Sequence, residues 1–400
     1  MLKADQKNFI FWIPLFLIIY NFAANLANDI YLPSMAKLVH IFGTTSTTLQ
    51  LTMTFWFAGV AIPHLYFGPL TDAIGRRPVL FAGAICFILA TIACGLSPNV
   101  WCLIIARFFQ GVGVCSLNVC TFGILIDLYD YKNRTQIMNK ISMCGNLAPL
   151  VGPIIGGYVL VWLNWRANFF LIFILGIASI IGLWKKLPES NLNLNPDAIK
   201  IKNLYLNYYL LLKNNGEFLK NMLPYCLILG GLVAYLTSAP FIVIERLKVL
   251  PQNFGYTQLP ICGAYLLGSL YLSYADDEEK IKKILSFGIK LVLLAGGLML
   301  VSGLIWGNNL YGFVGPMIIY SLGFSLSASP LINEVMSNAT ASKGSAAAFL
   351  GFGMAVSCVL SCVVLGLIYN GKIISVATLL FTITMLVNFI YFKPAKAPKT

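Results

Sequence analysis

Charge is scarce in this chain, and the scarcity excludes most function classes before any motif is read. Lys, Arg, Asp and Glu make up 10% of the 400 residues and apolar residues 58%, a balance that no soluble domain of this size tolerates. Segments of strict apolar and polar alternation are also missing, which excludes a membrane β-barrel. No GxxxxGK[ST] phosphate loop is present, so a fused ATPase is excluded. The absence of HExxH, GxSxG or a close Cys/His cluster argues against an enzyme and against a resident metal. Histidine is nearly absent, with two in all. His64, beside Pro63, reads as a packing residue rather than a proton relay. The ten cysteines form no CxxC and sit mostly inside apolar runs, as at Cys86, Cys94, Cys115, Cys120, Cys358 and Cys362. They read as small hydrophobes.

What is present is length and apolarity. Crossing a bilayer by helix takes roughly 20 apolar residues, and twelve such runs occur, near 9–35, 47–70, 78–97, 100–125, 135–160, 166–186, 219–246, 256–275, 282–303, 309–333, 344–369 and 372–392. The expected fold class is therefore an all-α integral membrane protein with 12 transmembrane helices. The net charge of +13 is distributed by side. Lys3, Lys7, Arg76, Arg77, Lys132, Arg134, six lysines from Lys185 to Lys220, Lys280, Lys282, Lys283 and Lys343 fall on alternate loops, whereas the opposite loops hold Lys37, Arg166, Arg246, Lys248 and Lys372. This asymmetry predicts cytoplasmic termini and accounts for the basic excess without nucleic acid. The first apolar run is too long for a signal peptide and ends in NDIYLP rather than a small-residue cleavage site, so it is expected to be retained. The longest polar stretch falls midway, and it divides the chain into an N-terminal six-helix bundle (1–187), a cytoplasmic linker (188–218) and a C-terminal six-helix bundle (219–400). Two such bundles around a central cavity are the layout of many transporters.

Within this frame Asp29 is anomalous. A carboxylate in a membrane span costs at least ~2.5 kcal/mol, so it is expected to line a watery cavity, carry a proton or find a partner. Asn21, Asn25 and Asn28 lie at i, i+4 and i+7, a polar stripe with Asp29 on its edge. Arg107 lies well inside the fourth run, and Gly111, Val114, Cys115 and Asn118 share its face. The fifth run carries Gly152, Pro153, Gly156 and Gly157, a small-residue face with a proline expected to bend or loosen its helix. Between the second and third runs, Gly68 permits close helix approach, Gly75 a tight turn, and Asp72, Arg76 and Arg77 add charge. Trp56, Asn146, Tyr235 and the turn from Thr237 to Pro240 are further candidates for a cavity wall, while Asp276 to Glu279 reads as a solvated charge run.

The loop GPLTDAIGRRPVL, from Gly68 to Leu80, resembles the signature loop of the major facilitator superfamily, and the likeness extends over the twelve-run layout. The resemblance implies that Asp72 caps a helix of the other bundle and that Arg76 pairs with Asp127 at the end of helix four, latching the cytoplasmic side shut. RFFQG, from Arg107 to Gly111, is similar to the family's RxxQG motif. APLVGPIIGG, from Ala148 to Gly157, resembles the antiporter motif GxxxGPxxGG, with Ala148 where the first glycine is usual. Asp29-Ile-Tyr-Leu-Pro33 matches the D-x-YLP run of the bicyclomycin and chloramphenicol-resistance branch of drug/proton antiporters. A related multidrug branch has a second acid where this chain has Asn21, a departure that argues against two-acid coupling.

The expected function is a proton-coupled exporter of small organic molecules, a multidrug antiporter of a bacterial-type inner membrane. It is expected to act as a monomer, powered by the proton gradient with no cofactor. Asp29 and Arg107 are expected to couple protons, and Asn21, Asn25, Asn28, Trp56, Asn118, Asn146 and Tyr235 to bind substrate. Two alternatives share this machinery. One is export of a dedicated metabolite such as a siderophore; the other is proton symport of a nutrient.

Overall fold

Apolar runs that cross a bilayer must close their backbone hydrogen bonds internally, and these do so as helices. The computed structural model describes residues 4–200, 208–209, 211–213, 216–307, 309–338 and 343–393. Helices α1 (Ala4–Asp29), α2 (Leu32–Phe42), α3 (Ser46–Ile74), α4 (Arg76–Leu96), α5 (Val100–Leu128), α6 (Tyr131–Trp162) and α7 (Trp165–Lys186) come first. Then follow α8 (Gly216–Pro240), α9 (Pro251–Ser273), α10 (Glu278–Ile305), α11 (Leu310–Ser337), α12 (Lys343–Ile368) and α13 (Ile373–Phe392). Among the described residues nine helices are long and apolar enough to cross a membrane, and the bent pair α1/α2 makes a tenth crossing. Helices α3 and α9 are more polar, carrying Thr, Gln, Asn and Pro, but at 29 and 23 residues they have the length to cross. With them the crossings number twelve.

Three elements depart from the expected spans, each at a proline. The first span is not one helix. It breaks after Asp29, bends by 48° and resumes as α2, because Pro33 has no N–H for the carbonyl of Asp29 and its ring crowds that carbonyl. Chain direction is recovered through a tighter bond from the Ser34 N–H to the Tyr31 carbonyl (2.8 Å). Helix α6 does the opposite: Pro149 and Pro153 lie inside a continuous 32-residue helix. The seventh span leaves α8 at Pro240 and finishes as a π-helical turn over Phe241–Arg246.

The described residues fall into two compact units that part between residues 200 and 208, with residues 250–255 belonging to the first. In the first unit α5 packs on both α3 and α4, α1 packs on α6 and α7, and α4 packs on α7. In the second, α10 packs on α11 and α13, and α8 packs on α11, α12 and α13. The polar stretch after α7, expected to leave the bundle at residue 188, instead folds back. The Asn195 N–H donates to the Asp72 carbonyl (2.9 Å), and a 3-10 turn at Pro196–Ile199 packs on α3.

Candidate functional site

The break in the first span is the centre of the candidate site. Asp29 is the last residue of α1 and is buried at 4% exposure. Its carboxylate accepts from the Asn28 amide (3.1 Å), and one helical turn earlier the Asn25 amide donates to the Asn21 carbonyl (2.8 Å) and side-chain oxygen (2.9 Å). The asparagine stripe is therefore hydrogen-bonded largely to itself and to the acid. Helix α6 covers this stripe with its small-residue face: Gly152 lies against the Asp29 Cβ and Gly156 against the Ile30 carbonyl, where added Cβ atoms would collide. A buried Asn168 on α7 ties the arrangement down by donating to Ser34 (3.2 Å) and to the Gly156 carbonyl (3.4 Å). Gly157 faces Pro251 and Gln252, which belong to this same unit.

Arg107 on α5 is completely buried. Among the described residues it forms no ion pair with Asp29. Instead one guanidinium nitrogen donates to the Ala27 carbonyl (2.8 Å) and to Gln110 Oε1 (2.7 Å), and another approaches Met53 Sδ (3.7 Å). The guanidinium lies over the ring of Tyr31 at 4.6 Å and near that of Trp56 at 5.8 Å. Gln110 passes the chain on by donating to Thr91 (2.9 Å), which donates to the Phe87 carbonyl (2.6 Å) on α4. A carbonyl, an amide and two aromatic faces thus solvate a charge that water cannot reach.

Other expected site residues scatter. Trp56 joins the Arg107 cluster. Asn118 and Asn146 are exposed on the first unit. Tyr235, expected on a cavity wall, is fully buried inside the second unit with its ring stacked on Phe313 at 4.8 Å. It sits on the packed face of α8, which periodicity could not separate from a cavity face. His64 lies in α3 with Nδ1 3.5 Å from Cys115 Sγ. Asp276 to Glu279 opens α10: Asp277 caps the helix and the two glutamates pair with Lys282 and Lys283 at 2.8 Å on the exposed surface.

At the signature loop Arg76 meets Asp127 through Nε (2.5 Å) and Nη2 (3.2 Å). Gly75 adopts φ +101°, the turn that L residues rarely make. Gly68, expected to permit close approach, faces open space, and its carbonyl accepts from the Thr71 hydroxyl (2.7 Å). Asp72 projects an exposed side chain. Arg77 pairs with no acid among the described residues: it donates to the Trp184 carbonyl (3.3 Å) and lies near the rings of Phe81 and Trp184 at 5.7 and 5.6 Å. Sequence reasoning missed Glu189, whose carboxylate accepts from the backbone N–H of Arg76 (2.9 Å) and of Arg77 (3.1 Å) and so caps α4. It also missed Ser190, which donates to Asp127 (3.0 Å). No local pattern announces either residue, whereas Gln110 and Tyr31 sit inside the quoted RxxQG and D-x-YLP runs and could have been found there.

Comparison with known proteins identifies the family. The family model described as Major Facilitator Superfamily matches residues 17–362. The chain is 28% identical over 340 residues to the multidrug transporter MdfA of Yersinia pestis, covering 84% of this chain and 82% of that protein. It is 26% identical over 338 residues to the chloramphenicol resistance protein CraA of Acinetobacter baumannii, covering 84% and 80%. Among solved structures, a POT family transporter bound to a thioalcohol-conjugated peptide superposes with a TM-score of 0.73 at 16% identity over 96% of each chain, a likeness of fold alone.

Proposed function

This chain belongs to the Major Facilitator Superfamily, a family of transporters rather than enzymes, and from the site in its first unit we propose that it is a proton-coupled exporter of small organic molecules. The observation that carries the reading is the buried Asp29 carboxyl at the end of a broken helix, with the one buried arginine of that unit engaged elsewhere. A carboxyl without an ion-pair partner can exist neutral or charged according to which side of the membrane it meets. Asp29 takes up a proton from outside and releases it inside, and the arriving proton displaces substrate, so the two fluxes exchange without ATP. Alternating access proceeds between the bundles at 1–187 and 219–400 about the linker at 188–218. The Arg76–Asp127 pair belongs to a latch that opens in each cycle, since an ion pair still in reach of solvent is worth only about 1 kcal/mol.

The substrates are drugs, chloramphenicol among them, as the names of the relatives MdfA and CraA suggest. The chain resides in a bacterial-type inner membrane with both termini cytoplasmic, an orientation supported by the placement of its lysines and arginines. It works as a monomer without a cofactor. The test is chloramphenicol transport in proteoliposomes under an imposed pH gradient, comparing wild type with Asp29→Asn. Wild type is expected to move drug against its gradient while the variant only equilibrates it. Equal uphill transport by both would remove Asp29 from coupling, and uptake in the same direction as the proton would replace antiport with symport.

A further inference from the structure

Arg107 forms no ion pair with Asp29, yet it touches the chain on both sides of it. Upstream of the break it holds the Ala27 carbonyl at 2.8 Å, and downstream its guanidinium lies 4.6 Å from the centre of the Tyr31 ring. The two contacts straddle Asn28, Asp29 and Ile30, the stretch over which α1 ends. Tyr31 is fixed in turn. Its hydroxyl is hydrogen-bonded to Thr52 on α3, its ring lies 5.8 Å from that of Phe169 on α7, and it is completely buried. On the opposite side, Gly152 and Gly156 of α6 leave just enough room for Asp29 and Ile30.

We propose that Tyr31 is a positioning residue, and that Arg107 and Tyr31 together staple the α1/α2 break so that the turn bearing Asp29 pivots about a fixed point. The proposal deepens the antiport reading and rests on it only for its use in coupling. A helix C-terminus presents carbonyls without partners, and a cation there is favourable. Arginine is suited to the task because a planar guanidinium donates in its plane and stacks on its face at once, which an ammonium cannot do. Asp29 and Arg107 then communicate through backbone: a change in the charge or hydration of Asp29 alters the turn whose carbonyl Arg107 holds. The small faces of Gly152 and Gly156 let that turn move against a wall without side chains.

The test is hydrogen exchange of the full-length protein in lipid nanodiscs, read on peptides covering residues 22–36, for wild type, Tyr31→Phe, Tyr31→Leu, Arg107→Lys and the Tyr31→Leu/Arg107→Lys double variant. Peptides from α13 serve as the control for intact folding. Tyr31→Leu and Arg107→Lys are each expected to speed exchange at the break roughly tenfold. The double variant is expected to be no faster than the faster single, because one staple is lost either way. Tyr31→Phe, which keeps the ring, is expected to stay near wild type. Unchanged exchange in Tyr31→Leu, additive effects in the double variant, or a Tyr31→Phe as fast as Tyr31→Leu would each overturn the staple. None of these readings needs substrate or a proton gradient, so a failure of the transport test leaves them intact, and their failure leaves the transport test intact.

Discussion

The two units share several helix pairings, though the packing of α3 on α5 has no comparable pair between α9 and α11, and they bury different chemistry. In the first, α4 lies on α5 and on α7, and α1 on α6 and α7; in the second, α10 lies on α11 and on α13, and α8 on α12 and α13. One close glycine approach also corresponds. Gly113 of α5 is pressed against the Gly83 carbonyl of α4, and Gly323 of α11 against the Gly288 carbonyl of α10. The buried polar groups do not correspond. The first unit buries Asp29 and Arg107, whereas the second, among the described residues, buries hydroxyls and amides such as Thr237, Gln258, Ser327 and Thr384 but no charged side chain. Most of those hydroxyls return a bond to their own helix, as Thr237 does to Val233 and Ser327 to Gly323. Helix pairing therefore depends on small residues at crossing points, which both units keep. Charge in the membrane interior is costly, and it persists only in the unit where a cluster of partners has been assembled around it.

Arg107→Ala should break the comparison most severely. It strips partners from the buried Ala27 carbonyl and Gln110 amide and leaves a void between Tyr31 and Trp56, so drug transport should fall to background. The loss in stability should be about 3 kcal/mol, read as a large drop in apparent melting temperature in detergent. The nearest counterpart in the second unit is Tyr320, buried and donating to the Ile228 carbonyl at 2.7 Å. Tyr320→Phe should cost only about 1 kcal/mol. Equal losses would mean that the charge is not what sets the first unit apart.

The shared architecture makes a prediction of the opposite kind. Gly113→Ala and Gly323→Ala each force a methyl into a facing backbone and should destabilise to a similar degree, about 1 to 3 kcal/mol. Gly68→Ala, which meets open space, should be neutral or slightly stabilising. A tolerated Gly323→Ala beside a damaging Gly113→Ala would show that the packing is not repeated. The smallest contrast concerns the loops that open α4 and α10. Asp127→Asn loses a two-point pair with Arg76 whose side chains are 17% and 20% exposed, and should lower stability by about 1 kcal/mol. Lys282→Ala loses a pair with Glu278 that is 62% and 82% exposed and should change the melting temperature little if at all.

Much of this protein can be read from its residues in order. Asp29 stands out because nothing else acidic lies in its apolar run, and Gly75 marks a turn that the backbone indeed makes at φ +101°. The break after Asp29 was harder to foresee, because Pro149 and Pro153 are tolerated inside α6 while Pro33 ends α1. A proline weakens any helix locally, but whether the helix parts depends on what can receive the freed carbonyls. For α1 the receiver of one carbonyl is Arg107, 80 residues away from Ala27. Glu189 is a similar case: it caps α4 from 113 residues beyond Arg76, and an isolated Pro-Glu-Ser after a basic turn carries no sign of that destination.

Composition and order by themselves determined that this chain spans a membrane twelve times, that its basic residues gather on alternate loops, and that one acid and one arginine stand inside its first half. Those properties follow from transfer energies, which each segment meets alone. Only the tertiary structure decided that Arg107 serves Ala27 and Tyr31 rather than Asp29, that Tyr235 packs instead of lining a wall, and that the linker returns to cap α4. A buried hydrogen bond belongs to whichever donor and acceptor the packing brings within about 3 Å, and the packing is a property of the whole unit.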